Sequence, residues 1–383
     1  MPLRREGVLP KNVYLDHAAT THLDAEALAH MLPYLQERYG NPSSLYPAGS
    51  VVKSELEGAR RTMKGLLGGS DGNLFFTSGG TEANNWAIHG VVEGCGVKHI
   101  ITSPLEHASV LEPVRAWQKK GVEVSYVGLK AGGEIDYGSL ERLLERHPRS
   151  LVSLMHGNNE VGNLTDVGCV AALCRQYAAI FHSDLVQTVG YYPIDLTAWG
   201  VDVCTGSAHK FYGPKGVGFL YVREGLRLAP LLYGGQQERG LRGGTENVAG
   251  IVGMAYALEK QQGRQEKVRE HIGRLKQYMI EQLEETIPDI TFHGLCKEPT
   301  KSLCTIVNVG LPQGDPETLI MQLALEGVAT SSGSACMSGG KTTSHVLKAL
   351  GVPATAANVR LSLGVDNDYE DIDHTVAALQ KIL

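Results

Sequence analysis

The sequence predicts an α/β fold: a mostly parallel seven-stranded sheet with helices on both faces, plus a smaller α+β domain. Three observations carry that expectation. Seven short apolar runs recur, at residues 74–77, 97–102, 122–127, 151–155, 179–182, 201–204 and 217–222. Amphipathic stretches separate most of them, at 82–93, 107–120, 139–145 and 167–177, and such helices supply the long crossovers that parallel neighbours require. Beyond Asn247 the strand-and-helix repeat gives way to a long run of helical spacing that leads into a second domain. A chain of 383 residues also exceeds one ordinary core, which calls for two domains.

In chain order, Val13-Tyr14-Leu15 leads into a small, polar turn, Asp16-His17-Ala18-Ala19-Thr20-Thr21. A helix is expected from residue 24 to about 38, broken by Tyr39-Gly40-Asn41-Pro42-Ser43-Ser44. A second helix, 50–67, stops at Gly68-Gly69. The seven strands and their helices follow. Past Asn247, Ile251, Met254, Leu258, Val268, Ile272, Leu275, Met279 and Leu283 recur at helical spacing, as one long helix or two abutting ones. Strands at 303–309 and 359–363 and helices at 316–325, 345–350 and 369–382 complete the chain.

Composition narrows the class of function. Hydrophobic residues make up 43% and charged residues 20% of the chain, enough for a large core and too apolar for a disordered polymer. Net charge is −6 with Lys and Arg scattered, which argues against a nucleic-acid partner. No run approaches the roughly 20 apolar residues of a membrane span, so no membrane association is expected and the setting reads as cytoplasmic. The seven cysteines form an odd set without a Cys-x-x-Cys pair, so neither a disulfide framework nor a zinc site is suggested and no metal is expected. Six of them, Cys95, Cys169, Cys174, Cys204, Cys296 and Cys304, read as core thiols.

Chemistry gathers where the predicted strands end. Cys204-Thr205-Gly206-Ser207-Ala208-His209-Lys210 closes an apolar run and is stopped by Phe211-Tyr212-Gly213-Pro214, so Lys210 sits at a carboxyl edge of the sheet, where open α/β sheets bind ligands. A lysine desolvated there can have its amine pKa lowered enough to attack a carbonyl; taken alone, it reads as a surface lysine. Thr77-Ser78-Gly79-Gly80-Thr81-Glu82 joins strand to helix through a glycine turn, either a phosphate cradle around Gly80 and Thr81 or a plain structural turn. It has the spacing of neither the dinucleotide fingerprint nor the Walker motif. Asp184, with Gln187 three residues on, places a carboxylate that could keep a ring nitrogen protonated or cap a helix. His107 lies just past the run at 97–102, and a lone histidine there also reads as a cap or a surface residue. Asn158-Asn159-Glu160 adds amides, and the loop from Arg239 to Asn247, with Arg242 and Thr245, is basic, glycine-flexed and suited to an anion. A lysine amine, a carboxylate, a phosphate cradle and an imidazole at successive strand ends are the parts a pyridoxal phosphate enzyme needs.

Two further residues stand out. Cys336 lies in Ser331-Ser332-Gly333-Ser334-Ala335-Cys336-Met337-Ser338-Gly339-Gly340, with little apolar surface to pack on, and its glycines suit a loop that carries the sulfur into and out of a site. A thiol of ordinary pKa is only a few per cent thiolate near neutral pH, so a reactive Cys336 needs local help. Arg360 is a cation within an apolar strand, which calls for a partner; a substrate carboxylate could be that partner, bound bidentately.

With these residues in view, the chain resembles the pyridoxal-phosphate-dependent cysteine desulfurases of the NifS/IscS type, within the class V aminotransferases. The likeness runs nearly end to end. It passes through Tyr14 to Thr21, Gly40-Asn41-Pro42-Ser43-Ser44, Thr77 to Asn85, Asn158-Asn159-Glu160-Val161-Gly162, Ser207-Ala208-His209-Lys210, Arg239 to Asn247 and Ser331 to Cys336. The resemblance implies a homodimer of fold-type I, with a large cofactor domain over residues 16–260 and a small domain from 1–15 and 261–383 that carries the catalytic-cysteine loop. It implies pyridoxal 5′-phosphate joined to Lys210, Asp184 on the pyridine nitrogen, Gln187 on the ring oxygen and His107 stacked on the ring, assisting proton transfer. Gly80, Thr81, Ser207 and His209 would hold the phosphate, together with Thr245 of the partner subunit. Asn159, also against the cofactor, and Arg360 would bind the carboxylate of L-cysteine. Cys336 would take the sulfur, leaving alanine and a persulfide for a sulfur-acceptor or iron–sulfur scaffold protein. A selenocysteine lyase or another class V enzyme would share Lys210 and Asp184 without needing Cys336. After Cys336 the family commonly reads Thr-Ser-x-x-Leu-Glu-Pro-Ser, whereas this chain reads Met337-Ser338-Gly339-Gly340-Lys341-Thr342-Thr343-Ser344, similar in length but not in composition.

Overall fold

A computed structural model of the chain describes residues 12–332, 344–353 and 356–383. They fall into two compact units, a larger one from Thr20–Asn159 and Asn163–Arg269 and a smaller one from the described parts of Met1–Ala19, Glu160–Gly162 and Glu270–Leu383.

β1 (Val13–Tyr14) is followed by α1 (Ala25–Gln36) and α2 (Pro47–Leu66). Asp24 caps α1 by accepting from the amides of Glu26 and Ala27. α2 begins at Pro47, earlier than the expected residue 50, because proline's fixed φ and missing N–H suit a first helical turn. Strand and helix then alternate through β2 (Gly72–Thr77), α3 (Gly80–Cys95), β3 (His99–Thr102), α4 (Ala108–Lys119), β4 (Glu123–Tyr126), α5 (Tyr137–Arg146), β5 (Leu151–Ser153), α6 (Val167–Gln176), β6 (Ile180–Asp184), α7 (Leu196–Trp199), β7 (Val203–Ser207) and β8 (Gly218–Arg223). α8 (Val248–Thr286) is one unbroken helix of 39 residues, where the sequence allowed one or two.

Among the described residues of the larger unit, seven strands form one sheet in the order β2-β8-β7-β6-β5-β3-β4. All seven expected runs are present. β8 lies antiparallel to both β7 and β2, while the remaining pairs are parallel. The reason is the link: between Ser207 and Gly218 the chain makes only a short turn, without the helical crossover that a parallel partner needs. The carboxyl ends of β2, β7, β6, β5 and β3 therefore share one edge.

Adjacent residues of a strand enter opposite cores. Phe76, Ile101, Val152, Cys204 and Phe219 pack with residues of α2, α5, α6 and the start of α8. Phe75, Ile100, Leu151, Val203 and Leu220 pack with α3 and α4. This two-residue period is what a sheet covered on both faces requires.

The smaller unit holds β9 (Thr291–Phe292), β10 (Ile306–Leu311), α9 (Pro316–Leu325), β11 (Val328–Ala329), α10 (His345–Ala349), β12 (Ala357–Ser362) and α11 (Tyr369–Ile382). β12, β10 and β9 form an antiparallel sheet with Asn308 opposite Arg360, and β1 pairs parallel with β11. α7, β9 and β11, of four residues or fewer, are too short to leave a period in the sequence. Among the described residues no helix is long and apolar enough to cross a membrane.

Candidate active site

Five strand ends of the larger unit bring expected residues to one edge. β2 leads through Gly79 into α3 at Gly80; β3 leads to His107, the N-cap of α4; β5 leads to Asn158 and Asn159; β6 ends on Asp184, with Gln187 in the following turn; β7 ends on Ser207, followed by His209 and Lys210 in a short 3-10 turn. Asp184 and Ser207 are buried, Gly80, His107, Asn159, Gln187, His209 and Lys210 are half-buried, and Thr81 and Thr245 are exposed. Asn158 is buried and donates to the Leu105 carbonyl at 2.8 Å, so its amide serves the loop itself.

A polar network ties Asp184 to His107. Asn84, on the second turn of α3, donates from Nδ2 to Asp184 Oδ2 at 2.7 Å and to Ser109 Oγ at 2.8 Å, while its Oδ1 accepts from Thr205 Oγ1 at 2.6 Å. Asp184 Oδ1 accepts the Val186 amide at 2.8 Å. His107 Nδ1 accepts the Ser109 amide at 3.1 Å and lies 2.7 Å from Ser109 Oγ. Because Nδ1 is an acceptor, the neutral His107 ring carries its proton on Nε2. Glu106, wholly buried, accepts the Met155 amide at 2.9 Å; burial pushes its carboxyl well above the usual range, and the charge of Asp184 adds to the rise.

The N-terminus of α3 has no side-chain cap, so its first-turn amides and positive end can face a ligand. Backbone approach there is close. A Cβ on Gly80 would lie 2.9 Å from Val186 Cγ2, and one on Gly218 would lie 2.8 Å from Gly79 Cα. Arg242 donates from Nε to Glu82 Oε1 at 2.8 Å and from Nη2 to Oε2 at 3.2 Å. The guanidinium of the expected anion loop is thus engaged by a carboxylate of α3, which corrects the reading of Arg242 as available to an anion. Burial alone would raise the Glu82 pKa, but Arg242 and Ser78 together bring it below the usual range.

Thr21 braces the lysine turn. Its amide and hydroxyl donate to the His209 carbonyl at 2.9 and 3.0 Å, and its Oγ1 accepts the Tyr212 amide at 2.8 Å. His209 Nδ1 lies 3.1 Å from Thr20 Oγ1. Burial, with the cations of Lys210 and Lys215, pushes the His209 ring down to about 4, so it is neutral near pH 7.

In the smaller unit, Arg360 is buried on β12 with Nη2 2.6 Å from Asp16 Oδ1. A guanidinium in an apolar strand needs a partner, and Asp16 supplies one within the chain. Burial by itself is therefore no argument for a substrate carboxylate at Arg360. The Arg360 amide donates to the Ser331 carbonyl at 2.6 Å, and Ser344 caps α10 while bonding Glu160 Oε2 at 2.5 Å. These two buried serines flank the segment that holds Cys336, which lies outside the described residues. Among the six described cysteines, Cys174, Cys204, Cys296 and Cys304 are buried as expected, but Cys95, the last residue of α3, is exposed and Cys169 is half-buried.

Asn84, Ser109 and Thr205 escaped the sequence reading as a working group. A signal was present at Asn84: an amide between Ala83, Trp86 and Ala87, on a helix otherwise bound for the core, must be hydrogen-bonded.

Comparison with known proteins adds a family context. Residues 13–375 match the family model of the class-V aminotransferases. A cysteine desulfurase IscS of Dictyoglomus turgidum is 40% identical over 379 residues, spanning 98% of this chain and 95% of that protein. Among solved structures, a NifS-like protein aligns with a TM-score of 0.88 at 34% identity, covering 97% of this chain and 99% of its own. SspA in complex with cysteine aligns with a TM-score of 0.79 at 30% identity, covering 92% of this chain and 99% of its own.

Proposed function

Because this chain belongs to the class-V aminotransferase family, and within it to the cysteine desulfurases, we propose that it takes sulfur from L-cysteine with pyridoxal 5′-phosphate as cofactor, giving L-alanine and a persulfide on Cys336. The observation that carries this reading is the network on Asp184. A buried carboxylate fixed by Asn84 and the Val186 amide stands on the same sheet edge as Lys210 and the uncapped end of α3.

The residues fit that cofactor. A negative charge held at Asp184 suits a protonated pyridine nitrogen, and the close-packed turn at Gly80, where a Cβ would meet Val186, suits a phosphate beside Thr81, Ser207 and His209. Lys210 would hold the aldehyde carbon, Gln187 the ring oxygen and Thr245 of the partner subunit the phosphate. When bound, the cofactor withdraws electrons from the substrate α-carbon and makes its bonds labile. His107 moves a proton at Nε2, the nitrogen left by its bonds to Ser109. Asn159 and Arg360 orient the substrate carboxylate, with Asp16 holding the guanidinium in place.

Sulfur transfer itself belongs to Cys336. Its thiolate attacks the substrate sulfur, a sulfur–sulfur bond forms and the bond from that sulfur to the β-carbon breaks. The released electron pair takes up a proton on carbon to give alanine. The persulfide then passes to a sulfur-acceptor or iron–sulfur scaffold protein. We read the working form as a cytoplasmic homodimer whose large domain spans 16–260 and whose small domain takes 1–15 and 261–383. Replacing Lys210 by Ala is expected to abolish both the visible absorption of the bound cofactor and alanine formation. A variant with the parental spectrum would overturn the assignment.

A further inference from the structure

At the amino edge of the sheet, away from Lys210, three potential metal ligands converge. His99 opens β3 and Glu123 opens β4; the two strands are parallel, and these residues are register partners. His147 caps the end of α5 and brings its ring to the same place. One donor atom from each lies within 4.8 Å of the others. His99 Nδ1 is 3.3 Å and His147 Nδ1 is 3.9 Å from Glu123 Oε2. A tetrahedral zinc ion with bonds of about 2.0–2.1 Å sets its ligand atoms roughly 3.3–3.5 Å apart. Small side-chain rotations of Glu123 and His147 would meet that geometry.

The surroundings of His99 point the same way. The residue is 7% exposed, and its Nε2 lies 2.9 Å from Ser125 Oγ, two residues along β4 from Glu123 and so on the same face of the strand. Donation from Nε2 to Ser125 leaves the Nδ1 lone pair turned to the cluster, the outer bond by which proteins orient metal-binding imidazoles. Nδ1 itself is buried without a hydrogen bond of good geometry, at ion-pair distance from Glu123. The ring centroids of His99 and His147 are 3.7 Å apart, too close for two imidazolium cations to be comfortable. A cleft of about 750 Å³ gives access from solvent and is also lined by Lys98, Arg146 and Arg149.

We propose that His99, Glu123 and His147 form a site for a divalent transition metal of the zinc type, with a fourth position open to water or an anion. Two imidazoles and one carboxylate are a donor set suited to zinc, and the three cations of the cleft favour an anionic fourth ligand. The sequence offered no warning, because the ligands are spaced 24 and 24 residues apart and no cysteine takes part.

Cobalt(II) titration of the full-length protein tests this, with zinc as competitor. The site predicts one equivalent of cobalt per chain, ligand-field absorption without a thiolate charge-transfer band, and displacement by zinc. Glu123→Gln, at an exposed position, and His147→Ala, at a half-buried one, are expected to weaken binding at least tenfold, and Ser125→Ala by roughly tenfold or more, with the cofactor spectrum unchanged. Absence of stoichiometric binding to the parental protein, equal binding by the Glu123 and His147 variants, or a charge-transfer band from a cysteine would each overturn the proposal.

Discussion

Asn84 Nδ2 stands 2.7 Å from Asp184 Oδ2 while Asn84 Oδ1 accepts from Thr205 Oγ1 at 2.6 Å. One amide thus joins α3, β6 and β7 at the point where the proposed ring nitrogen is held. Hydrogen bonds to charged groups contribute about 1.5–3 kcal/mol, and each 1.4 kcal/mol is about tenfold in affinity. Asn84→Ala is therefore expected to weaken cofactor binding at least tenfold, measured by titrating cofactor into the stripped protein. Unchanged affinity would assign Asn84 to the fold alone.

A buried ion pair stakes down the loop that carries Thr245. Arg60 donates to both carboxylate oxygens of Glu238 at 2.8 and 3.0 Å, and Glu238 also accepts the Phe76 amide of β2. Glu238 and Arg239 adopt φ of 44° and 60°, a left-handed backbone that costs on the order of 1 kcal/mol or more per residue and persists only when held. Removing one partner leaves the other charge buried and unpaired, so Arg60→Ala should lower unfolding free energy by about 3–5 kcal/mol in urea denaturation. Paired replacement of Arg60 and Glu238 by Met and Leu should recover most of that loss.

Acid sensitivity follows from two buried rings, His156 and His182, and the half-buried ring of His209. Burial pushes His156, His182 and His209 down to about 4, about 3 and about 4, against about 6.5 in an unfolded chain. Below about 6.5 the unfolded state takes up protons that the folded state refuses, so their stabilisation is full above that pH and is lost as pH falls toward 4. The urea midpoint should decline across this window, and His156→Gln should remove about one proton from the slope. A midpoint constant from pH 6.5 to 4.5 would contradict the account.

How much of this was legible in sequence depended on range. The sheet was readable because each strand is a local apolar run, and Lys210, Asp184 and His107 were readable because each follows such a run. Pairings across the chain were not. Asn84 and Asp184 are 100 residues apart, and Asp16 and Arg360 are 344 apart; side-chain identity alone did not join them. Asp16 in particular turned Arg360 from a lone buried cation into a paired one. The direction of β8 depended on the absence of a helix after Lys210, a feature of the link rather than of the strand.

The most direct test is mass spectrometry of the protein after reaction with L-cysteine, alongside assay of L-alanine. The expected result is one added sulfur on the peptide containing Cys336, alanine formed in step with sulfur acquired, and loss of both the added sulfur and turnover in Cys336→Ser while cofactor and cysteine still bind. Alanine production by Cys336→Ser at the parental rate, or added sulfur on another cysteine instead, would contradict it.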